Sequence, residues 1–334
     1  KMADGEKAAK VRDCIASGKL KFDEKKWEAV YIWEDNEKVP TIDSKALERD
    51  NLLYNEDAIR RFLVARNMNP EKAAAQLVDA QGWRVKNAAA CFMGEDAKTF
   101  QPDPDEDVYK ALCPHAYAGK DKCYRPIYWE RTGLIRVPRV VKYISPRKLV
   151  KRHVRSMEFL TYSMKLNARA CVSDFIVDSL EFDRKPAELI AEYSDPDFLK
   201  QVVVMDLSGL SYAPDSVGIS AFRSCMKIDQ NFYPERLGVC FIINAPWIFT
   251  GVWAMVKHFL DPRTQQKFRI LGSRYHDALK EVITEDNILD CYGGKLTPPE
   301  TFRVHAEEKK QQILDEYKRR QPREGIDRAK TAPA

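Results

Sequence analysis

The sequence predicts an α/β fold in which a helical N-terminal domain precedes a domain built on a mostly parallel sheet. In residues 1–95 the apolar side chains recur at helical spacing. The stretch 101–107, "QPDPDED", is acidic and broken by proline, as linkers are. After it, strand-like and helix-like segments alternate, which favours parallel strands with helical crossovers. The predicted boundaries are a helical domain at 1–100, a linker at 101–107, an α/β domain at 108–297, and a charged helix with a disordered tail at 298–334.

Composition narrows the function classes. The chain has 334 residues, a net charge of +5, and 31% charged residues. No dense basic cluster is present, so nucleic-acid binding is not predicted. The eight cysteines are scattered without a CxxC pair, and the first ten residues are polar, without a signal-peptide pattern. These features predict a cytoplasmic protein with reduced thiols.

The N-terminal helices have clear start signals. The stretch 55–67 places one apolar face on a helix, made of Ala58, Ile59, Phe62 and Leu63. The next helix begins with Asn69 as N-cap and Pro70 in its first position.

The second domain is predicted from its order of elements. Strands are expected at 125–135, 201–210, 238–243 and 268–272, and helices at 145–168, 215–234 and 273–283. Ser145 is the predicted N-cap of the longest helix. The run "QVVVMDLSGL" (201–210) is continuously apolar at its start, as in a strand covered on both faces.

The stretch 237–267 begins with twenty uncharged residues, enough to cross a bilayer. Its internal chemistry argues against a membrane span. "GVCFII" (238–243) is β-branched and aromatic, and Asn244 and Pro246 interrupt any continuous helix. We therefore interpret it as a buried strand, a turn, and a separate apolar helix at 247–260.

A search for catalytic motifs finds none. The chain has no GxxxxGK, GxGxxG, GxSxG or HExxH pattern, and its five histidines are isolated. Asp206 follows a buried strand, where α/β enzymes place chemistry, but a carboxylate there also serves to bond a following turn. No catalytic residue and no metal site are predicted, so the protein is not expected to be an enzyme.

Five motifs in order resemble the CRAL-TRIO (Sec-fourteen-like) lipid-binding family. They are "AIRRFLVARNMNPEKAAAQL", "KCYRPIYWERTG", "VVVMDLSGLS", "YPERLGVCFIINAPWIFTGVWAMVKHFLDPRTQQKFRILG" and "YGGKL". The branch that the chain resembles is the phosphatidylinositol and phosphatidylcholine transfer proteins. The resemblance implies an α/β domain that encloses one hydrophobic lipid, with an amphipathic gate helix closing the pocket.

The gate is expected at 247–260. One apolar stripe runs along it, formed by Phe249, Val252, Trp253, Val256 and Phe259. Such a stripe could cover lipid tails when the pocket is closed and enter the bilayer interface when it is open. A permanent core helix would carry the same stripe, so both interpretations stay open.

The headgroup site is expected around "DPRT" (261–264). Asp261 is the predicted N-cap of a helix starting at Pro262, so free N–H groups are expected there for a phosphate. The resemblance implies that Arg66, Thr264 and Lys267 bind the headgroup and that Glu235 balances Lys267 in the empty pocket. Asn67 stands where the family usually has a second basic residue.

Selectivity follows from the same resemblance. Tyr117 and Tyr128 match tyrosines that the family uses around a choline phosphate. Gln201 and Val203, however, replace the serine and threonine of dual-specificity members, which puts phosphatidylcholine in doubt. The segment 171–201 is longer than is usual for the family.

The predicted function is therefore transfer of one phosphatidylinositol, exchanged against a second lipid, between membranes. The protein is expected to be a monomer that touches membranes transiently, with no cofactor besides its lipid. The alternatives are a carrier or sensor for a sterol, tocopherol or retinoid and, less favoured, a hydrolase. A cavity for two acyl chains should exceed the ~300–1,000 Å³ of a drug-sized site.

Overall fold

The computed structural model describes residues 4–42, 51–92, 103, 105–178, 199–210 and 216–320. The predicted disordered tail at 321–334 and most of the long segment before residue 199 lie outside the described residues. The α-helices are α1 Asp4–Ala16, α2 Glu24–Trp27, α3 Glu56–Ala65, α4 Pro70–Lys86, α5 Glu106–Leu112, α6 Val137–Val140, α7 Pro146–Asp178, α8 Ser216–Phe232, α9 Phe249–Val256, α10 Pro262–Gln265, α11 His276–Val282 and α12 Glu307–Arg320. Short 3-10 helices lie at Glu28–Val30, Ala89–Phe92, Thr132–Leu134, Lys257–Phe259, Glu285–Asn287, Asp290–Tyr292 and Glu300–Phe302.

The sheet confirms the predicted α/β class. Its strands are β1 His115–Lys120, β2 Pro126–Glu130, β3 Gln201–Asp206, β4 Leu237–Ile243 and β5 Phe268–Ile270, and they lie side by side in chain order. β1 pairs with β2 antiparallel, and the other pairs are parallel. Because each parallel step moves the same way across the sheet, right-handed crossovers place α7, α8 and α9 on one face.

The two faces of the sheet differ in packing. Along β3 the side chains alternate, with Val202, Val204 and Asp206 buried on one side and the others half-buried. The buried side belongs to a core that includes Trp129, Phe241 and Tyr292 and is covered by α11 and the chain after it. The half-buried side faces the helices α7 and α8, where a cavity lies.

The helices α3 and α4 each begin at an asparagine N-cap, which confirms the prediction for Asn69. Asn55 Oδ1 accepts a hydrogen bond from the Ala58 N–H at 2.9 Å, and Asn69 Oδ1 accepts one from Lys72 at 2.9 Å. The apolar face of α3 is fully buried. Its core continues into α7 and α8, because Trp83 of α4 stacks on Phe232 of α8 with ring centroids 4.3 Å apart.

Two predicted strands are too long. The strand expected at 125–135 ends at Glu130, and the one expected at 201–210 ends at Asp206. After Asp206 the backbone turns, since the Ser208 N–H donates to Asp206 Oδ1 at 2.9 Å and Gly209 takes a φ of 82°. Left-handed backbone of this kind ends a strand.

The helix predicted at 145–168 and the charged helix predicted near the end of the chain are both confirmed as helices. Ser145 Oγ accepts a hydrogen bond from the Lys148 N–H at 3.2 Å and caps α7, which continues past the expected end at 168 to Asp178. The charged helix α12 packs its Leu314 and Tyr317 against α5 and α6.

Candidate functional site

A cavity of about 780 Å³ lies between the sheet and the helices α7 and α8. Its floor is a row of one side chain per strand, in register across the sheet: Tyr117, Tyr128, Val203, Cys240 and Phe268. The expectation of a cavity larger than a drug-sized site is wrong for this structure. The two helices stand close together, because His153 Nε2 of α7 lies 2.7 Å from Asp229 Oδ1 of α8.

All six predicted headgroup residues line this cavity: Arg66, Tyr117, Tyr128, Glu235, Thr264 and Lys267. At its mouth, Lys267 Nζ donates to Glu235 Oε2 at 3.0 Å. Glu235 is positioned by a turn directly after α8, with a φ of 58°. The carboxylate is mostly buried, so its charge is balanced by the ammonium rather than by water.

Arg66 is held at the C-terminal end of α3, where its backbone N–H bonds to the Phe62 and Leu63 carbonyls. Burial lowers the pKa of its guanidinium, and the charge of Asp261 opposes that shift. The direction shows that the side chain is incompletely compensated by negative charge where it lies. An anion in the cavity would supply the missing compensation.

The prediction of free backbone N–H groups at the start of α10 is wrong. Asp261 is the N-cap, as predicted, but its carboxylate accepts both the Thr264 N–H at 3.0 Å and the Thr264 hydroxyl at 2.6 Å. Burial acts to raise the pKa of Asp261, but these bonds outweigh it and the pKa lies below its usual value. Asp261 therefore satisfies the donors that were expected to be open to a phosphate.

Sequence reasoning missed Arg263, which also lies at the mouth. Its Nη2 donates to Asn67 Oδ1 at 2.9 Å, its Nη1 donates to the Val64 carbonyl at 2.6 Å, and Glu235 Oε1 lies 3.5 Å away. The signal in the sequence was its position, since it lies between Asp261 and Thr264. The contact to residues near 65 could not be inferred from that position.

The inner end of the cavity is polar and aromatic. The rings of Tyr117 and Tyr128 lie 5.0 Å apart, and the Tyr128 hydroxyl donates to Glu130 Oε2 at 2.8 Å. Burial, followed by the charge of Glu130, raises the pKa of Tyr128, so the phenol stays protonated. Sequence reasoning missed Glu130 too, although its place two residues after Tyr128 puts both on one face of β2.

The comparisons with known proteins agree with this fold. Residues 114–294 match the CRAL/TRIO domain. The chain is 32% identical over 264 residues to the Sec14 cytosolic factor of Schizosaccharomyces pombe, across 78% of this chain and 82% of that protein. The chain belongs to the CRAL/TRIO family.

Two further likenesses place this CRAL/TRIO chain in the predicted branch and fold. It is 29% identical over 266 residues to the phosphatidylinositol/phosphatidylcholine transfer protein SFH9 of Arabidopsis thaliana, across 78% of this chain and 41% of that protein. The crystal structure of Sfh5 superposes with a TM-score of 0.53 at 15% identity, covering 95% of this chain and 98% of that chain. The second likeness concerns the fold alone.

The stripe predicted for the CRAL/TRIO gate faces the protein. Val252 is buried, and Phe249, Trp253, Val256 and Phe259 are half-buried. The Trp253 ring lies 5.1 Å from that of Phe268, at the outer strand β5. None of these five described residues lines the cavity, so the structure does not bring the stripe together with the headgroup residues. The gate stays a prediction.

Asp206 bonds the turn that follows its strand, as one of its two interpretations expected. Besides Ser208, it accepts hydrogen bonds from Asn244 Nδ2 at 2.8 Å and from the Tyr292 hydroxyl at 2.9 Å. It is buried and does not line the cavity. Asp206 thus joins the ends of β3 and β4 to the chain near residue 292.

No helix in the described part of this CRAL/TRIO chain has the length and apolar character needed to span a bilayer. No three His, Cys, Asp or Glu side chains of the described residues stand close enough together to hold a metal ion.

Proposed function

We propose that this CRAL/TRIO protein binds one phosphatidylinositol molecule and moves or presents it between membranes. The observation that carries the proposal is the charged mouth of the cavity, where Arg263 and Lys267 flank Glu235 and Arg66 also lines the wall. A mostly apolar cavity whose mouth holds cations suits an anionic lipid. The names of the Sec14-type relatives, several of which are phosphatidylinositol/phosphatidylcholine transfer proteins, support it.

Headgroup binding proceeds by exchange of partners. In the empty site Lys267 is paired with Glu235. A phosphate entering the mouth competes for the ammonium, and the gain is a charge-assisted hydrogen bond in a water-poor site. The loss of the Glu235 pair offsets part of that gain, so binding stays weak enough for release. A carrier needs this balance, because tighter binding would trap the lipid.

Carriage lowers the barrier for a lipid to leave a bilayer. A diacyl lipid with ~32 methylenes is held by roughly 25 kcal/mol at ~0.8 kcal/mol per CH₂. If most of that were the desorption barrier, escape would take on the order of days. A protein that docks on the membrane and opens its pocket keeps the acyl chains out of water and removes most of the barrier.

The chemistry we propose makes and breaks no covalent bond, and the lipid is the ligand with no further cofactor. Three thiols line the cavity, those of Cys113, Cys225 and Cys240. Burial raises the pKa of each well above its usual value. They are therefore neutral and poor nucleophiles near neutral pH. We also propose a monomer that associates with cytoplasmic membrane surfaces transiently.

Mass spectrometry of lipid extracted from the purified protein tests this function. We expect an inositol phospholipid in the extract and transfer of phosphatidylinositol between vesicles. A sterol, tocopherol or retinoid in its place, with no phosphatidylinositol transfer, would overturn the proposal in favour of the single-ligand carrier.

A further inference from the structure

We propose that Arg263 is a headgroup-binding residue that supplies the site's decisive positive charge from α10, the short helix after the predicted gate. The inference rests on the proposed function and deepens it. Nothing in the motifs or in the likeness to relatives assigns a role to this side chain. Three observations on the mouth of the cavity carry it.

The first observation is position. Arg263 lines the cavity together with Lys267 and Arg66, and its side chain is 44% exposed. Lys267 and Arg263 approach opposite oxygens of the Glu235 carboxylate, at 3.0 Å and 3.5 Å. An anion that displaces Glu235 from Lys267 therefore enters within reach of the guanidinium.

The second observation is orientation. Arg263 reaches from α10 to the end of α3, where Nη1 donates to the Val64 carbonyl and Nη2 to Asn67 Oδ1. These two contacts fix the plane of the guanidinium without neutralising it, because a carbonyl and an amide carry no net charge. Among the described residues its one ion pair is the 3.5 Å contact to Glu235, and a fixed planar fork is the geometry that phosphate groups match.

The third observation is the balance of charge. The mouth holds the cations Arg66, Arg263 and Lys267 and the carboxylates Glu235 and Asp261. Arg236, a further arginine of the lining, donates to the Leu199 carbonyl at 3.0 Å and lies 3.5 Å from Asp57. Arg263 thus makes the mouth positive, while Asn67 beside it is neutral. The charge needed for an anionic headgroup sits at 263 rather than at 67.

The test moves the positive charge from residue 263 to its contact partner, residue 67. Arg263→Gln keeps an amide donor for the Val64 carbonyl and removes the charge, and Asn67→Lys combined with Arg263→Gln returns a cation to the neighbouring position. The ligands are a fluorescent phosphatidylinositol and a diacylglycerol with the same tails, presented in phosphatidylcholine vesicles. Arg269→Gln, which removes an exposed arginine paired with Glu281 outside the cavity, is the matched control.

We expect Arg263→Gln to weaken phosphatidylinositol binding by about tenfold or more, which is the size of a lost charge-assisted hydrogen bond. Diacylglycerol binding and the thermal melt should be unchanged, and the double variant should recover phosphatidylinositol binding. Unchanged phosphatidylinositol affinity in Arg263→Gln would overturn the assignment. Equal losses for both ligands, or no recovery in the double variant, would overturn it by making Arg263 a structural tie. Failure of the unmodified protein to bind phosphatidylinositol would overturn the proposed function itself, and the assignment with it.

Discussion

At the scale of single residues, the mouth of the cavity is built from side chains that pair with one another when no lipid is present. Lys267 and Glu235 are both mostly buried, so each needs the other's charge. Arg263 stands near the same carboxylate at 3.5 Å. Removing one cation therefore leaves Glu235 with a second one, which separates effects on binding from effects on folding.

Lys267→Ala tests this separation. We expect phosphatidylinositol transfer to fall by about tenfold to a hundredfold, because a charge-assisted hydrogen bond to the phosphate is lost. The melting temperature should stay close to native, since Arg263 still faces Glu235. Vesicle transfer and a thermal melt on one preparation measure both, with Lys295→Ala, which breaks an exposed pair with Asp286, as the control. Normal transfer by Lys267→Ala would remove the residue from the headgroup site.

Selectivity is also decided by single side chains on the cavity floor. Gln201 and Val203 both line the cavity, and Val203 lies beside Tyr128 in the sheet register. Gln201→Ser combined with Val203→Thr should raise phosphatidylcholine transfer several-fold from a weak native level, because hydroxyls return next to the tyrosines. Transfer of labelled phosphatidylcholine measures it. Efficient phosphatidylcholine transfer by the native protein would show that other residues recognise that lipid.

At the scale of elements, α7 and α8 are tied together across the cavity by His153 and Asp229. Burial opposes the charge of His153, but the charge and hydrogen bond of Asp229 outweigh it and raise the pKa above its usual value of about 6.5. A raised pKa in the folded state means that the pair stabilises the protein fully below pH ~6.5. That stabilisation is lost as the pH rises through the folded-state value.

We therefore expect the difference in unfolding free energy between the native protein and His153→Gln to shrink from pH 6 to pH 8. Urea titrations at both pH values measure it. His258→Gln, at an exposed histidine outside the cavity, is the control variant. A difference that is equal at the two pH values would contradict the raised pKa of His153.

The helix α9 has two open interpretations, a gate that moves or a permanent part of the core. Its predicted stripe packs inward, while Trp247 just before it is 87% exposed and Met255 lies on the outer side. Apolar side chains are thus exposed on the outer side as well, which suits a helix that enters a bilayer interface. A permanent core helix requires only the inner face.

Trp253→Asp separates the two roles. For a gate, transfer should be lost while the melt stays near native, because a charge near the acyl boundary costs a few kcal/mol only when the helix enters the membrane. Val304→Asp, at another exposed apolar side chain, is the control. A large fall in melting temperature, with transfer lost only in proportion to unfolded protein, would identify α9 as permanent core.

At the scale of the whole molecule, the helical N-terminal part and the sheet part share one core. Arg84 of α4 donates Nη2 to Glu158 Oε2 of α7 at 3.0 Å, and the Tyr233 hydroxyl donates to Glu158 Oε1 at 2.5 Å. Both charged side chains are buried. The contact spans the predicted linker, so the two parts are coupled in stability.

Glu158→Gln should lower the unfolding free energy by about 3–5 kcal/mol, because it leaves Arg84 buried without its carboxylate. Urea unfolding followed by tryptophan fluorescence and by circular dichroism should still give one shared transition. Lys26→Gln, which breaks a partly exposed pair with Asp79, should cost no more than ~1 kcal/mol. Two separate transitions in the native protein would contradict the shared core.

The sequence alone determined the local features of this protein. The caps predicted at Asn69 and Ser145 mark where helices begin, because capping depends on side chains within three residues of the backbone they bond. Runs of β-branched residues predicted the central strands, because such side chains favour extended backbone at the residues themselves. The six headgroup positions were predicted with the resemblance to the CRAL-TRIO family, and all six line one cavity.

Only the tertiary structure decided how distant segments meet. Arg263 reaches Asn67 across 196 residues, and Lys267 meets Glu235 across 32. The inward face of α9, the shared core and the cavity's size depend on which surfaces pack against each other. Those contacts are set by the closing of the whole chain around one core, and a pattern of three or four residues carries no information about it.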